Sequence, residues 1–518
     1  MILGTIFVGI LIAIIGCSDG ASTCNKRSFG QTSFVCVCSS ESCDTIEPVR
    51  AKANGTYQIY SSDKDTDRFA LGQGSVSPGI KLNDEKVTIY GKTPTTITIN
   101  RDVKQQEILG FGGAFTDATG INIRQLSEDV QTKLLDSYFG KDGLQYNVGR
   151  VPMGGTDFST KGYTYDDTID NKADPQLEQF NLQPEDHEYK IPFIKKAKQI
   201  NPDLELLAST WTAPRWMKTN NAMNGGAIKD EYYQVWADYF IKFFENYEKE
   251  GISFWGVSTG NEPSLAFFNA NINSVGWMPE AMRKWVGENL GPTIRSSKFK
   301  NLKILTLDDQ RFMLPWNPQE VMQNGTEKYI DGIAVHWYFD FLTPASLLAL
   351  THERFPDKIL MATEACRGDK PWEAPVVLGD WSRAEDYAHG IIEDMNNYVQ
   401  GWIDWNMVLD PTGGPTYINN QVDAPIIVDA TSNEFHKQPM YYALGHFSKF
   451  IPRGSHKIYQ EISSRSIEVA AFERQDGGVV VVVMNRQTTP QDIIINDANS
   501  GHIEFNLPPR SIHTVLYW

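Results

Sequence analysis

Between about residues 105 and 410 the chain alternates short, continuous apolar runs with longer amphipathic segments, and eight runs have strand length: 108–115, 145–151, 204–209, 253–258, 302–307, 333–337, 359–363 and 402–407. A strand with one solvated face alternates apolar and polar residues. A run that is apolar throughout has to be covered on both faces, as in a parallel sheet. The intervening segments carry the helical period, most clearly over 230–250, where Val235, Trp236, Tyr239, Phe240, Phe243, Phe244 and Tyr247 recur with charges between them. Seven such residues form a packing stripe, not a ligand box. Eight strand–helix units over roughly 300 residues are the pattern of an α/β fold of the (β/α)8 TIM-barrel class.

The ends of the chain follow a different rule. From 54 to 100 and from 457 to 518 the sequence is rich in Thr, Val, Ile and Tyr, with turn signals such as Asp476-Gly477-Gly478 ahead of the run 479–484. These are hairpin signatures, so a β-sheet assembled from both termini is expected beside the barrel. At 518 residues the chain is long enough for this second unit.

Residues Ile2 to Ile15 are almost wholly apolar and lead into Gly16-Cys17-Ser18-Asp19-Gly20. At about 14 residues the run is short for a membrane span and has the position of a signal-peptide core, so 1–20 are read as a signal peptide, with a signal anchor as the alternative. Cysteine use agrees with secretion. Cys24, Cys36, Cys38 and Cys43 cluster at the mature N-terminus, which suits two disulfides in an oxidising compartment better than a zinc site. Of three possible pairings, Cys24–Cys36 with Cys38–Cys43 is the expected one; Cys366 is left as a buried free thiol. The sequons at Asn54 and Asn324 permit glycosylation. A formal charge of −17 argues against nucleic acid as a partner.

On this barrel, Glu262 follows the fourth run and Glu364 the seventh. A single glutamate at a strand end is ordinarily a solvated loop residue. Strand ends at the C-terminal face of a TIM barrel, however, converge on one mouth, which lets two carboxylates distant in sequence face each other. Glycosidic bond cleavage asks for that pair, a proton donor on one side and a carboxylate on the other, with no metal or cofactor. Arg150, Asp157, Trp211, Asn261, Tyr338 and Trp405 fall at the same level, and such a ring offers aromatic faces and polar groups to a sugar.

At these residues the chain resembles the glucosylceramidases of glycoside hydrolase family 30. The matching stretches are Gly110-Phe111-Gly112-Gly113-Ala114-Phe115-Thr116-Asp117, Arg150-Val151-Pro152-Met153, Trp211-Thr212-Ala213-Pro214, Asn261-Glu262-Pro263-Ser264, His336-Trp337-Tyr338 and 444–452. The resemblance covers essentially the whole mature chain. It implies a catalytic barrel over 103–406 plus 439–454, a β-sandwich-like domain over 51–102 plus 455–518, and a small disulfide-stapled N-terminal sheet over 21–50 plus 407–438. It further implies retaining hydrolysis of β-glucosylceramide. In that reading Glu262 is the acid/base and Glu364 the nucleophile. Asn261 binds the sugar 2-hydroxyl, Asp157, Trp211, Trp405 and Asn420 hold the rest of the glucose, and Arg150 and Tyr338 orient and tune Glu364. The pattern departs at Gly260, at Gln421 and in the loop 265–277, which lacks an expected tyrosine.

The resemblance implies no cofactor, a glycosphingolipid substrate at a membrane surface, help from a saposin-like activator and anionic lipid, and lysosomal delivery through the secretory pathway, plain secretion being the alternative. Another family 30 activity, a β-xylosidase or β-1,6-glucanase, is the competing reading within the fold. A noncatalytic sugar- or lipid-binding relative is disfavoured because both carboxylates are present.

Overall fold

The computed structural model describes residues 23–49, 53–77, 94–268 and 271–518. The expected signal peptide lies outside these residues. The eight apolar runs form eight parallel strands closed into a barrel: β1 (Gly110–Ala114), β2 (Val148–Met153), β3 (Glu205–Thr210), β4 (Gly256–Ser258), β5 (Lys303–Gln310), β6 (Gly332–His336), β7 (Ile359–Glu364) and β8 (Gly401–Asn406). Closure is completed by β8 pairing with β1 and by β4 with β5. Val148, Leu207, Leu305, Ala334, Met361 and Ile403, from six different strands, fill the interior, so the barrel is a packed core with its working surface at one end.

The helix expected over 230–250 runs from Tyr233 to Lys249 behind a single turn at Asp230–Tyr232. Its buried stripe contains Trp236, Tyr239, Phe240, Phe243, Phe244 and Tyr247; Val235 is half-buried on the flank, and Tyr233 takes a buried place instead.

Strands from both ends of the chain build one nine-stranded sheet, ordered Gly501–Leu507, Gln491–Asp497, Thr95–Glu107, His456–Ile462, Glu468–Glu473, Val479–Asn485, Ser511–Tyr517, Thr56–Asp63 and Ala70–Ser75. The sheet folds over itself. Val481 and Val483 share a core with Ile493 and Ile495 although three strands separate them in the sheet order, which is what makes the domain a sandwich. The turn at Asp476-Gly477-Gly478 joins an antiparallel pair, with Gly477 at φ 79°. A five-stranded sheet carries Val35–Cys38 between Lys26–Arg27 and Glu434–Lys437, and continues through Ile426–Asp429 to Val408–Leu409. Cys24–Cys36 and Cys38–Cys43 are the disulfides, and Cys366 is free and buried. Between barrel and sandwich lies the wholly buried helix Pro439–Ser448, whose His446 bridges Ser62 and Thr514 of two sandwich strands at 2.9 Å each.

Gly112 shows how tightly the barrel wall is drawn. A Cβ there would meet the Val148 carbonyl oxygen of the paired strand at 1.6 Å, a backbone atom that has nowhere to go. Gly112→Ala should therefore cost about 3 kcal/mol or prevent folded protein from accumulating. Thermal unfolding checks this, and an unchanged Tm would contradict the packing.

Candidate active site

The C-terminal ends of the barrel strands open into a cleft of about 770 Å³, lined at its floor by Asp157, Trp211, Asn261, Glu262, Tyr338, Glu364, Trp405 and Asn420. Every sugar-site residue singled out from the sequence is thus in one place, with Arg150 buried directly beneath.

The strands deliver these groups by different local means. Glu364 is the last residue of β7, and both of its oxygens are occupied: Oε2 accepts from the Arg150 guanidinium, and Oε1 accepts from the Tyr338 hydroxyl at 2.8 Å. Arginine can only donate, so the ionised carboxylate is the form that fits. Burial pushes the Glu364 carboxyl up and Glu262 adds to this, while the His336 and Arg150 cations pull against both. Glu262 lies four residues beyond β4 in a left-handed backbone conformation, φ 41°, pinned by its N–H to the Asp308 carbonyl at 2.9 Å. Gly260, one of the departures from the family pattern, adopts φ 140°, which favours glycine. Glu262 Oε1 accepts from the Gln310 amide at 2.6 Å and lies 3.0 Å from His336 Nδ1. Oxygen atoms of Glu262 and Glu364 and a ring nitrogen of His336 all come within 4.8 Å of one another.

Asn261 Oδ1 accepts from Arg150 at 2.8 Å. Asn420 Nδ2 donates to Asp157 at 2.8 Å. Burial, followed by the charge on Glu364, pushes the Asp157 carboxyl up to about 7. The Trp211 and Trp405 rings stack with centroids 5.0 Å apart and 16° between planes. Cys366 lies 3.6 Å from the Tyr338 hydroxyl.

Three working groups escaped the sequence reading. Asp308, wholly buried on β5, accepts from Arg150 (2.8 Å) and Ser209 (2.7 Å) on one oxygen and from Thr363 (2.6 Å) on the other, which also lies 3.1 Å from His336 Nε2. Burial alone would raise it, but Arg150 and His336 hold it well below the usual carboxylate range. Burial likewise opposes a charge on His336, yet Glu364, Asp308 and Glu262 outweigh it and lift the imidazole to about 10, so it is a cation. Gln310 is the third. The run Asp308-Asp309-Gln310-Arg311 at the end of the fifth strand was the available signal, as was His336 ahead of Trp337 and Tyr338. Burial and then Glu262 push Asp309 up to about 6.

Above this polar floor the rim is apolar. Phe268 is 85% exposed, Trp372 74% and Phe341 62%, with Phe312 and Phe339 beside them, from loops that follow four different strands. Exposed aromatic residues gathered around one opening mark a binding surface.

Comparison with known proteins agrees with this architecture. Residues 108–451 match the glycosyl hydrolase family 30 TIM-barrel domain and residues 454–515 the glycosyl hydrolase family 30 beta sandwich domain. The lysosomal acid glucosylceramidase of Mus musculus is 43% identical over 517 residues, 98% of each chain, and putative glucosylceramidase 3 of Caenorhabditis elegans is 43% identical over 505 residues, 95% of each. Among solved structures, SrfJ from Salmonella typhimurium superposes with a TM-score of 0.80 at 26% identity, covering 89% of this chain and 99% of that one. With both domains matched and the identity held along the full length, the chain belongs to glycoside hydrolase family 30 and is a glycosidase.

Proposed function

We propose that the protein is a retaining β-glucosidase that hydrolyses glucosylceramide to glucose and ceramide, within sphingolipid catabolism. One observation carries the reading: two glutamates with oxygens within 4.8 Å stand on a sugar-sized polar floor beneath an apolar rim. Retaining glycosidases hold their carboxyl groups about 5–5.5 Å apart, whereas inverting ones leave roughly 6.5–9.5 Å for a water molecule. The cleft is amphipathic in the same sense as a glycolipid. The relatives named glucosylceramidase support this substrate class.

In the first step, the proton of the Glu262 carboxyl passes to the glycosidic oxygen as the Glu364 carboxylate bonds to the anomeric carbon. The carbon–oxygen bond breaks and ceramide leaves as a neutral alcohol. Arg150 and Tyr338 hold Glu364 in line for attack. Once Glu364 is an ester, the charge opposing an anion on Glu262 is gone, and the His336 cation and the Gln310 amide stabilise that anion. Glu262 then takes a proton from water, whose oxygen attacks the anomeric carbon and frees Glu364. Asn261 contacts the 2-hydroxyl. Asp157 and Asn420 hold further hydroxyls, and the stacked Trp211 and Trp405 side chains offer indole surface to an apolar face of the glucose.

The apolar rim seats the enzyme on a lipid surface while the headgroup enters the cleft. By analogy with the family, an anionic bilayer and a saposin-like activator are the partners and an acidic lysosome reached through the secretory pathway the compartment, in line with the likeness to a lysosomal acid glucosylceramidase. The sequon residues Asn54 and Asn324 are both exposed, as carriers of glycans should be.

Hydrolysis of glucosylceramide against galactosylceramide in acid, with a short β-1,6-glucan and a β-xyloside alongside, tests the substrate; preference for the glucan would overturn it. Glu364→Gln should lower turnover by roughly four orders of magnitude or more. In Glu262→Gln, an activated aryl β-glucoside should still form the glucosyl-enzyme, and azide should restore turnover as the β-glucosyl azide; an α-azide would mean inversion. Trp372→Ser with Phe341→Ser should cut activity on vesicle-borne substrate by about tenfold, and activity on a soluble aryl glucoside far less.

Asp157 and Asp309 hold their protons to about 7 and about 6 in the folded site, well above a free carboxyl group. These two groups therefore bind more protons in the folded state than in the unfolded one between about pH 4 and 7, and their contribution to stability is full in acid and fades as pH rises through those values. The Tm of Asp157→Asn relative to the wild type should rise from acid toward neutrality, and a difference independent of pH would contradict the shift at Asp157.

A further inference from the structure

Beside the cleft, Arg311 is 1% exposed and faces three carboxylates: Asp340 at 2.5 Å, Asp394 at 2.7 Å and Glu393 at 2.8 Å. The three come from two elements. Asp340 sits on the single turn Asp340–Leu342 just beyond Tyr338, and Glu393 and Asp394 sit in the last turn of the helix Trp381–Met395. One guanidinium leaves a surplus of two negative charges, and a helix C-terminus adds partial negative charge of its own. Two other cations stand near and both are engaged: His336 by Glu262 and Asp308, and Lys370, which pairs with Asp369, donates to the Tyr338 carbonyl at 2.6 Å and lies 5.4 Å from the Phe339 and Phe341 ring centroids. Asp340 Oδ1 is buried with no hydrogen-bond partner among the described residues, an unfavourable place for a bare carboxylate oxygen and a natural place for a proton.

We propose that Arg311, Asp340, Glu393 and Asp394 form a proton-operated clasp that fastens the Phe339–Leu342 wall of the cleft in acid and releases it toward neutral pH. The clasp itself stands on the cluster's geometry; its bearing on lipid hydrolysis rests on the function proposed above. Burial, followed by the neighbouring carboxylates against the pull of Arg311, pushes Asp340 and Asp394 above their ordinary values. Carboxyl groups raised in this way favour the closed form fully below the ordinary carboxylate range, and the hold is lost as pH climbs through the raised values. Relief comes where the chain yields most easily. The helix is anchored by buried Ile391, Ile392 and Met395, whereas the Asp340 turn is a single turn flanked by exposed Phe339, Phe341 and Leu342. Arg311 is then a positioning residue for the site. It follows Gln310, which binds Glu262, and it holds the turn that continues from Tyr338, which binds Glu364.

Hydrogen exchange on the full-length protein tests the clasp without relying on activity. The reporters are the Leu342 and Thr343 amides, which close the turn onto the Phe339 and Asp340 carbonyls at 3.0 Å each. After correction for the intrinsic rate, their protection should fall by at least roughly tenfold between about pH 5 and about pH 7.5. Glu393→Gln and Asp394→Asn should keep most of it at the higher pH, and should raise neutral-pH hydrolysis of glucosylceramide relative to that in acid. Glu393 has a side chain 31% exposed, so its variant decides the matter if Asp394→Asn does not fold. Protection independent of pH in the wild type, or lost equally in the folded variants, overturns the clasp. A pH-dependent turn in a chain that hydrolyses no glucosylceramide would leave the clasp standing and overturn the proposed substrate.

Discussion

Asp308 is the anion on which the site depends. It is buried within the barrel, and its two oxygens face the two buried cations beneath the glutamates, Arg150 through one and His336 through the other. Those cations in turn touch the two glutamates, Arg150 at Glu364 and His336 at Glu262. The Asp308 carbonyl also holds the Glu262 backbone. A buried arginine and a buried imidazolium are costly unless compensated, and one carboxylate compensates both while fixing their directions. Without it the two cations would collapse onto the glutamates or shed charge, and the unequal surroundings of the two carboxyl groups would be lost.

Asp308 can do this because β5 is irregular there. Leu307 and Asp308 take positive φ, 75° and 49°, and the register against β6 slips between Leu307 and Asp309. A bulge re-aims side chains near a site, and here it coincides with Asp308 facing the cations. Strained backbone at Glu262 accompanies it one strand away, and a hydrogen bond joins these two irregular points of the barrel mouth.

The eight strands were legible in the sequence because burial on both faces leaves an unbroken apolar run, a signal that survives whatever the neighbours are. The glutamate pair was legible for a related reason, since the end of such a run fixes the end of the barrel where a side chain emerges. The polar run 308–311 marked the end of the fifth strand, but which of its side chains faces the cations is decided by the bulge, which no residue type at 307 or 308 announces. The Arg311 cluster was hidden because its members are spread over 311–394 and meet only after the helix following β7 has packed. The rim aromatics were hidden for the opposite reason: Phe341 and Trp372 look like core residues in a sequence, and only the folded loops leave them in solvent.

The sandwich is discontinuous in the chain, with the barrel inserted between its strands. Thr56–Asp63 pairs with Ala70–Ser75 on one edge and finds its other neighbour only at Ser511–Tyr517, so the earliest and latest strands of the sandwich in chain order meet there. During synthesis the early strand therefore waits, with one edge unsatisfied, until the entire barrel has emerged. Closing so long a loop is slow, and an open edge in the interval invites pairing with another chain. The strand Ser511–Tyr517 is thus the stopper of the sandwich: without it a complete barrel stands beside a domain whose strands Val479–Asn485 and Thr56–Asp63 have lost the neighbour they share.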